Sequence, residues 1–432
     1  MRKVGNRFVQ GLGALAALLP IHAARSQDVS ASPEAGAEFD RNRTVAVLDR
    51  NHPGFEERGH RIGGFILLPR IEVAGLADDN VLARPTNREG DVAAALIPAV
   101  EARSLWARHQ VVVSASGVLK RFARLDSENA DNYDLRLRGR YDATGQLSLT
   151  ALAGFRRNTE RRSDPGTLRN SIRPVTYTTV TGGGRLAWQV ARLRLLAEAE
   201  AARIAYEDVR TSDGAVIVSS VLDRNQSRFS ARADYALTPD LSLLAVGTLT
   251  NLDFDRSAAA LGVDRTSRKV EALAGVSFEF TDLVRGEVAL GYVSQRYRRA
   301  PIPDFSGFGG RVELTYFPTR LTQVRAEVSR TVREAGNPIA PSFIRTRAQV
   351  GLDHELYRRL VISAVADLER NRYELPARKE RRYHAGVGAR YLVNRHVSLI
   401  VRYDHLRVDT RPSTIGRRFT ENAVSVGVLF KP

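Results

Sequence analysis

The chain has 432 residues, of which 43% are apolar and 26% are charged. This composition excludes a disordered tail and a helical membrane protein. The absence of cysteine excludes disulfides, thiolate metal sites and cysteine nucleophiles. The formal net charge is +17, and only five of the 65 basic residues are lysine. Because so much of the charge is arginine, the placement of the arginines decides what the charge does.

The first 26 residues, 1–26, have the pattern of a secretory signal peptide. Arg2, Lys3 and Arg7 precede an apolar stretch from Phe8 to Leu19, and small residues follow before position 27. The stretch is too short for a membrane-spanning helix, and no later segment supplies the roughly 18 apolar residues that such a helix needs. The alternative is a buried N-terminal helix. We predict an exported protein that has no nucleic-acid partner.

Residues 27–61 and the rest of the chain, 62–432, differ in periodicity. The first range is polar and irregular, and we interpret it as a flexible periplasmic segment or a plug. In the second range, apolar and polar side chains alternate with the period of a β-strand. Between Tyr133 and Tyr141, for example, tyrosine, leucine and glycine face one way, whereas one aspartate and three arginines face the other.

The predicted strands are joined alternately by short turns and by longer polar loops such as 207–226 and 409–420. An aromatic residue usually precedes the short turn, as at Tyr141, Tyr235 and Tyr391. Strands of about nine to eleven residues cross a bilayer when tilted, and lipid requires the sheet to close. The pattern therefore predicts an all-β fold, a transmembrane antiparallel up-and-down β-barrel of about 16–18 strands. A β-propeller is the best soluble alternative, but it needs four short strands in each repeat.

Ten arginines alternate with apolar residues in these strands. An arginine on the lipid face near the bilayer midplane costs about 2–4 kcal/mol, so we predict that all ten line the lumen. They are Arg136, Arg138, Arg140, Arg228, Arg232, Arg311, Arg325, Arg347, Arg390 and Arg402. Eight acids in the same phase are predicted to pair with them: Asp134, Asp234, Glu271, Glu279, Glu313, Glu327, Asp353 and Asp404.

Three interpretations of this arginine-rich face remain open. Surplus arginine would favour anionic solutes or acidic polysaccharide as partners. Alternatively, the charges keep a water-filled wall solvated and stiff. The third interpretation is that a genome rich in G and C encodes arginine in place of lysine.

Short stretches distributed along the chain carry a family resemblance. They are residues 44–50, 63–69, the run Asp78-Asp79-Asn80-Val81, and residues 283–287, 318–322, 350–356 and 391–395. Their order and spacing resemble the putative β-barrel porin type 2 family, although Leu76-Ala77 stands where that family often has Gly-Tyr. The resemblance implies a Gram-negative outer-membrane barrel in contact with lipid and lipopolysaccharide. It also implies genes near capsule or exopolysaccharide loci, without an assigned substrate.

No catalytic, cofactor or metal site is predicted. In the adjacent pairs Asp353-His354 and Asp404-His405 the two side chains point to opposite faces of a strand. His384 has no evident serine partner, and no histidine spacing is typical of a metal site. The run from Asp78 to Asn80 lacks the ligand count of a calcium loop, so we interpret it as the start of an outer loop.

The leading hypothesis is a passive or gated conduit in the outer membrane that is tied to export or surface assembly of an exopolysaccharide. The runner-up is a non-conducting structural or scaffold barrel that binds glycan or partner envelope proteins through its long loops. An outer-membrane hydrolase is a distant third.

Overall fold

The computed structural model describes residues 46–50, 52, 54–165, 167, 170–255, 264–281, 283–298, 302–335, 341–412 and 417–432. The predicted signal peptide and most of the predicted segment 27–61 lie outside these residues. No helix in the described ranges is long and apolar enough to span a membrane.

Eighteen long strands dominate the described residues. They are β1 Phe65–Asp78, β2 Asp91–Ser104, β3 Gln110–Phe122, β4 Ala130–Asp142, β5 Leu147–Thr159, β6 Thr176–Val190, β7 Leu193–Tyr206, β8 Arg224–Thr238, β9 Leu241–Phe254, β10 Ser267–Phe280, β11 Val284–Tyr297, β12 Phe305–Thr319, β13 Thr322–Glu334, β14 Ser342–Tyr357, β15 Leu360–Tyr373, β16 Arg378–Leu392, β17 Val397–Arg411 and β18 Arg418–Phe430. Each strand pairs antiparallel with its sequence neighbours, and β1 pairs with β18 from Ile71↔Phe430 to Asp78↔Ala423. The predicted antiparallel barrel of 16–18 strands is therefore confirmed.

The strands are longer than the bilayer requires. The shortest have 13 residues, whereas about nine to eleven suffice to cross. Predicted loops are correspondingly shorter in the structure; the loop predicted at 409–420 is the connection 412–417. Polar residues such as Asp409 and Arg418 stay paired in the ladder beyond the membrane, and their polarity is what made them resemble a loop.

The outer surface carries an apolar band between two aromatic girdles. Tyr141 and Tyr235 are exposed near the short turns, and Tyr133 and Phe229 are exposed toward the long loops. Tyr133 and Tyr141 are eight residues apart in β4. A rise of about 3.4 Å per residue and a tilt of about 40° separate them by roughly 20 Å along the membrane normal. This spacing matches the apolar band of an outer-membrane barrel.

The described residues of the range 46–62, which we name the mouth segment, lie inside the short-turn rim. Val47 is fully buried, and its backbone N–H donates to Gln323 Oε1 at 3.1 Å. Arg50 forms an ion pair with Glu355 at 3.8 Å. The segment ends in a short strand, His60–Ile62, that pairs with the first residues of β1. Gln323 and Glu355 share the strand phase of Arg325 and Asp353, so the mouth segment contacts the lumen face.

The loop at 207–223 folds inward at the opposite rim. Val221 and Leu222 are buried against Tyr206 and Ile204, which lie on the lumen face of β7. The loop contains a small hairpin, Val209–Arg210 with Val216–Ile217. Apolar side chains therefore occupy part of the lumen beneath the long-loop rim.

The loop at 160–175 is tied to two neighbouring loops. Arg162 is buried and pairs with Glu128 at 2.7 Å. Arg417 donates from Nη2 to the carbonyl oxygen of Asp164 at 2.6 Å. Burial raises the pKa of Asp164 and outweighs the opposing effect of nearby arginines, which include Arg161. The loops at this rim form a connected layer.

Asp79, Asn80 and Asn422 form a group that we name the seam latch, because it joins the start of the first long loop to β18. Asn80 is fully buried, and its Nδ2 donates to the carbonyl oxygens of Arg84 at 2.9 Å and Thr420 at 2.8 Å. The Asp79 carboxylate accepts from the backbone and side-chain amides of Asn422, both at 2.6 Å. The run from Asp78 is thus a loop start at the outer rim, as its sequence predicted.

Candidate functional site in the lumen

All ten predicted arginines have the strand phase opposite to that of the exposed apolar side chains. Arg136 and Arg138 alternate with Leu135 and Leu137, whose side chains are 49% and 47% exposed on the outer face. The same phase holds for the others, which alternate with exposed apolar residues such as Phe229, Leu314, Val328, Val350, Tyr391 and Val401. Strand parity therefore places the guanidinium groups together inside the barrel.

Arg232, Asp234, Glu287 and Arg311 form a buried cluster that we name the ion-pair network. Arg232 Nη2 lies 2.7 Å from Asp234 Oδ1 and 2.9 Å from Glu287 Oε2. The second oxygen of Glu287 accepts from Arg311 at 2.7 Å. The side chains of Arg232, Asp234 and Glu287 are at most 3% exposed. One carboxylate thus joins two arginines from strands β8 and β12, so these charges compensate one another in the wall.

Four more of the ten arginines are held by carboxylates on the same face. The pairs are Arg136–Asp134 at 2.6 Å, Arg140–Asp142 at 2.8 Å, Arg325–Asp353 at 2.6 Å, and Arg347–Asp367. Arg138, Arg228 and Arg402 also engage neighbouring groups.

Arg390 differs from the other nine. Two of its atoms, Nε and Nη2, are buried and have no hydrogen-bond partner in the described part of the chain, whereas each of the other nine has at most one such atom. The opposite charges that act on it come from Glu72 and Asp353, and the like charges come from Arg402 and Arg70. No ion pair joins Arg390 to either carboxylate among the described residues. Arg390 therefore holds a positive charge in the lumen wall without a carboxylate partner among the residues that the structure describes.

Further cations surround Arg390 at the short-turn end. Arg70 Nε donates to Glu57 Oε1 of the mouth segment at 3.0 Å, and Lys431 Nζ lies 3.6 Å from the same carboxylate. Burial lowers the pKa of Lys431 and outweighs the attraction of Glu57, while Arg70 and Arg390 act in the same direction as burial. One carboxylate from the mouth segment therefore serves two cations of a basic inner rim.

The predicted acidic residues differ in the partners that they contact. Asp134, Asp234, Glu313 and Asp353 form ion pairs with arginine, as expected. Asp404 instead lies 2.9 Å from His384 Nε2 on the neighbouring strand. Sequence reasoning missed Glu287 and Asp367, although both alternate with apolar residues, which is the signal that could have found them.

The His384–Asp404 pair was also missed, because it forms across strands rather than along one. A histidine held by a carboxylate is two-thirds of a hydrolase triad, which also requires a serine within hydrogen-bond reach of the ring. Ser363, two strands from Asp404, donates its hydroxyl to Asp353 at 2.6 Å. No group of three histidine or acidic side chains in the described ranges is arranged to hold a metal ion.

Solved structures similar to this chain are porins of Pseudomonas aeruginosa. OpdO is 12% identical with a TM-score of 0.45, and the match covers 84% of this chain and 97% of OpdO. OccK2 (OpdF), solved in complex with glucuronate, is 12% identical with a TM-score of 0.46, and the match covers 84% of this chain and 98% of OccK2. OpdL is 12% identical with a TM-score of 0.43, with coverages of 86% and 99%.

No curated protein matches the chain by sequence. The family model described as Putative beta-barrel porin 2 matches residues 52–432, which include the whole barrel and most of the mouth segment. The chain therefore belongs to this family and is a porin-like β-barrel of the outer membrane.

Proposed function

We propose that this barrel is a conduit for anionic solutes across the outer membrane. The proposal is supported by ten arginines whose strand phase is opposite to that of the exposed apolar residues. One of them, Arg390, has no carboxylate partner among the described residues. A low-dielectric wall with fixed cations focuses a positive potential into the lumen and concentrates anions there. Membership of a porin family favours a channel over an enzyme.

Export or surface assembly of an exopolysaccharide is the biological setting that we propose, with residues 1–26 as the signal peptide. The resemblance to proteins often encoded near capsule genes supports this setting, and the basic lumen suits an acidic polysaccharide. Deletion of the gene should lower the amount of surface or secreted polysaccharide. Unchanged polysaccharide in the deletion strain would remove this part of the proposal.

Single-channel conductance of the purified full chain, with the reversal potential measured across a KCl gradient, tests the conduit. We expect discrete steps in which chloride permeates faster than potassium. Reversing charge at Arg136, Arg138 and Arg140 to glutamate should shift selectivity toward potassium. Arg407→Glu, on the outer face, is the control and should leave selectivity unchanged.

A non-conducting scaffold barrel is the second candidate. It is favoured by the mouth segment, which contacts Gln323 and Glu355 inside the short-turn rim, and by the inward loop at 207–223. Deletion of residues 27–60 separates the two candidates, because a conduit plugged by the segment gains current when the segment is removed. If neither the full chain nor the deletion variant conducts current in the bilayer, the scaffold is favoured.

A further inference from the structure

The register of β16 and β17 brings two arginines to one place in the lumen. Arg390 is opposite Ile400, and Arg402 is opposite Gly388, so the two arginines are diagonal neighbours on adjacent strands. Diagonal neighbours lie about 7–8 Å apart, a distance that two arginine side chains readily bridge with a shared ligand.

Small residues lie beside Arg402, whereas the strand partners of Arg390 are the buried Ile400 and Val361. A Cβ on Gly388 would lie 3.5 Å from Arg402 Cγ, so the stem of Arg402 extends over this glycine. Ser363 of β15 and Ser425 of β18 are the strand neighbours of Gly388 and Arg402. Glycine and serine therefore take up little volume beside the stem of Arg402.

Arg390 has no ion-pair partner among the described residues, whereas Arg402 engages a neighbouring group. Asp353 is bound by Arg325 at 2.6 Å and by the hydroxyl of Ser363 at 2.6 Å. Glu72 acts on Arg390 from beyond ion-pair distance. A buried charge without a partner is unfavourable, and although water can accept its hydrogen bonds, water does not neutralise it.

We propose that Arg390 and Arg402 form a binding site for an oxyanion, either a carboxylate or a phosphate carried by the solute. A guanidinium presents parallel N–H donors that match two oxygens of such a group, and desolvation strengthens these charged hydrogen bonds. The proposal deepens the proposed conduit and rests on it, because the solute would reach the site through the lumen.

The position of Arg390 along β16 shows which end of the lumen the site occupies. Arg390 is two residues from the end of β16, next to the outward aromatic Tyr391 at the short-turn girdle. Short turns face the periplasm in outer-membrane barrels. The site is therefore at the periplasmic end of the lumen, beside the cations Arg70 and Lys431 that Glu57 of the mouth segment already binds.

Binding of inorganic phosphate and of citrate to the purified full chain tests the site, by calorimetry in detergent and by block of the chloride current in a bilayer. We expect saturable binding of at least one probe, weakened at least tenfold in Arg390→Gln, because this variant loses the charge-assisted hydrogen bonds of the guanidinium. Arg381→Gln, at an exposed position of the same strand, is the matched control and should bind like the unmodified chain. Heat-dependent mobility on a gel establishes that each variant folds.

Two further variants separate the contribution of charge at position 390 from that of the guanidinium geometry and of the nearby carboxylate. Arg390→Lys retains the charge without the fork and should bind with intermediate affinity, and Glu72→Gln should tighten binding because it removes a competing negative charge. Equal binding by Arg390→Gln and the unmodified chain, or no saturable binding of either probe, overturns the site. Binding that depends on Arg390 in a barrel without current would support the site and refute the conduit.

Discussion

The wall from β8 to β12 and the wall around the seam, from β16 through β18 to β1, use arginine differently. In the first wall, Glu287 joins Arg232 and Arg311, and the charges are compensated. In the second wall, Arg390 has no bound carboxylate in the described ranges, and Glu57 is shared by two cations. Both walls show the same alternation in sequence. The comparison teaches that alternation alone does not decide whether an arginine is compensated, because that depends on which carboxylates its own strand and the neighbouring strands bring within reach.

The largest expected effect comes from the same substitution in the two walls. Arg232→Leu leaves Asp234 and Glu287 buried with less compensation, so it should lower the free energy of unfolding by about 3–5 kcal/mol. Arg390→Leu removes an uncompensated charge and should cost less than about 1 kcal/mol. Guanidinium-induced unfolding in lipid vesicles measures both. Similar losses in the two variants would erase the distinction between the walls.

The second prediction concerns the seam latch and its contribution to the stability of the seam wall. Asn80 makes three buried hydrogen bonds through its side chain. Asn80→Ala should cost about 2–3 kcal/mol, because backbone groups of Arg84 and Thr420 lose their partners. The temperature at which the barrel unfolds on a gel should fall accordingly. Asn158→Ala, which removes one long contact at 3.4 Å, is the control and should change it little.

The third prediction concerns Glu57, the acidic residue of the mouth segment that pairs with two cations of the seam wall. Glu57→Gln should cost about 0.5–1 kcal/mol of stability, since its pairs are partly exposed, and should increase the preference for anions. Reversal potentials measure the second effect. Glu56→Gln is the matched control, because the Glu56 carboxylate accepts from the Gly54 backbone at 2.9 Å and contacts no barrel cation in the described structure. A shift of the same size in both variants would contradict a local role for Glu57.

The smallest effect is expected above the β8 to β12 wall, in the loop between β9 and β10. Burial raises the pKa of Asp264, but the amide of Thr266 and the Arg298 ion pair at 2.9 Å outweigh it, so the pKa lies below 3.8. Asp264 therefore stabilises the fold above its ordinary pKa, and this stability is lost as pH falls below about 3.8. Pepsin cleavage of the loop should increase between pH 4 and pH 3. Asp264→Asn should remove this pH dependence.

Local patterns were sufficient to predict the barrel and the inward face. Period-two alternation fixes which side of β4 holds Arg136 and Arg138, and the aromatic residues before short turns place the membrane boundary. Both signals are contained in a single strand and its turn, so no long-range contact is needed to recognise them. The family resemblance and the match over residues 52–432 agree with this reading.

The pairing partners could not be predicted in the same way. Whether Glu287 meets Arg311, or His384 meets Asp404, depends on the register between strands, which alternation leaves undetermined. The mouth segment has no periodicity, so its contacts with Gln323 and Glu355 left no signal in the sequence. Arg390 is distinguished by the two carboxylates near it, since Asp353 of β14 already binds Arg325 and Glu72 of β1 lies beyond ion-pair distance.

The seam between β1 and β18 also determines the order in which the barrel can assemble. Every other pair of barrel strands is consecutive in the chain, whereas Ile71 meets Phe430 from the opposite end. Contacts of such long range cost the most loop-closure entropy and form slowly, so β1 and β18 should be the last strands to pair. Until then, β1 presents an open edge to any strand nearby. The hairpin of His60–Ile62 with β1 covers that edge from Phe65 to Leu67, which shortens the stretch that a competing strand could capture.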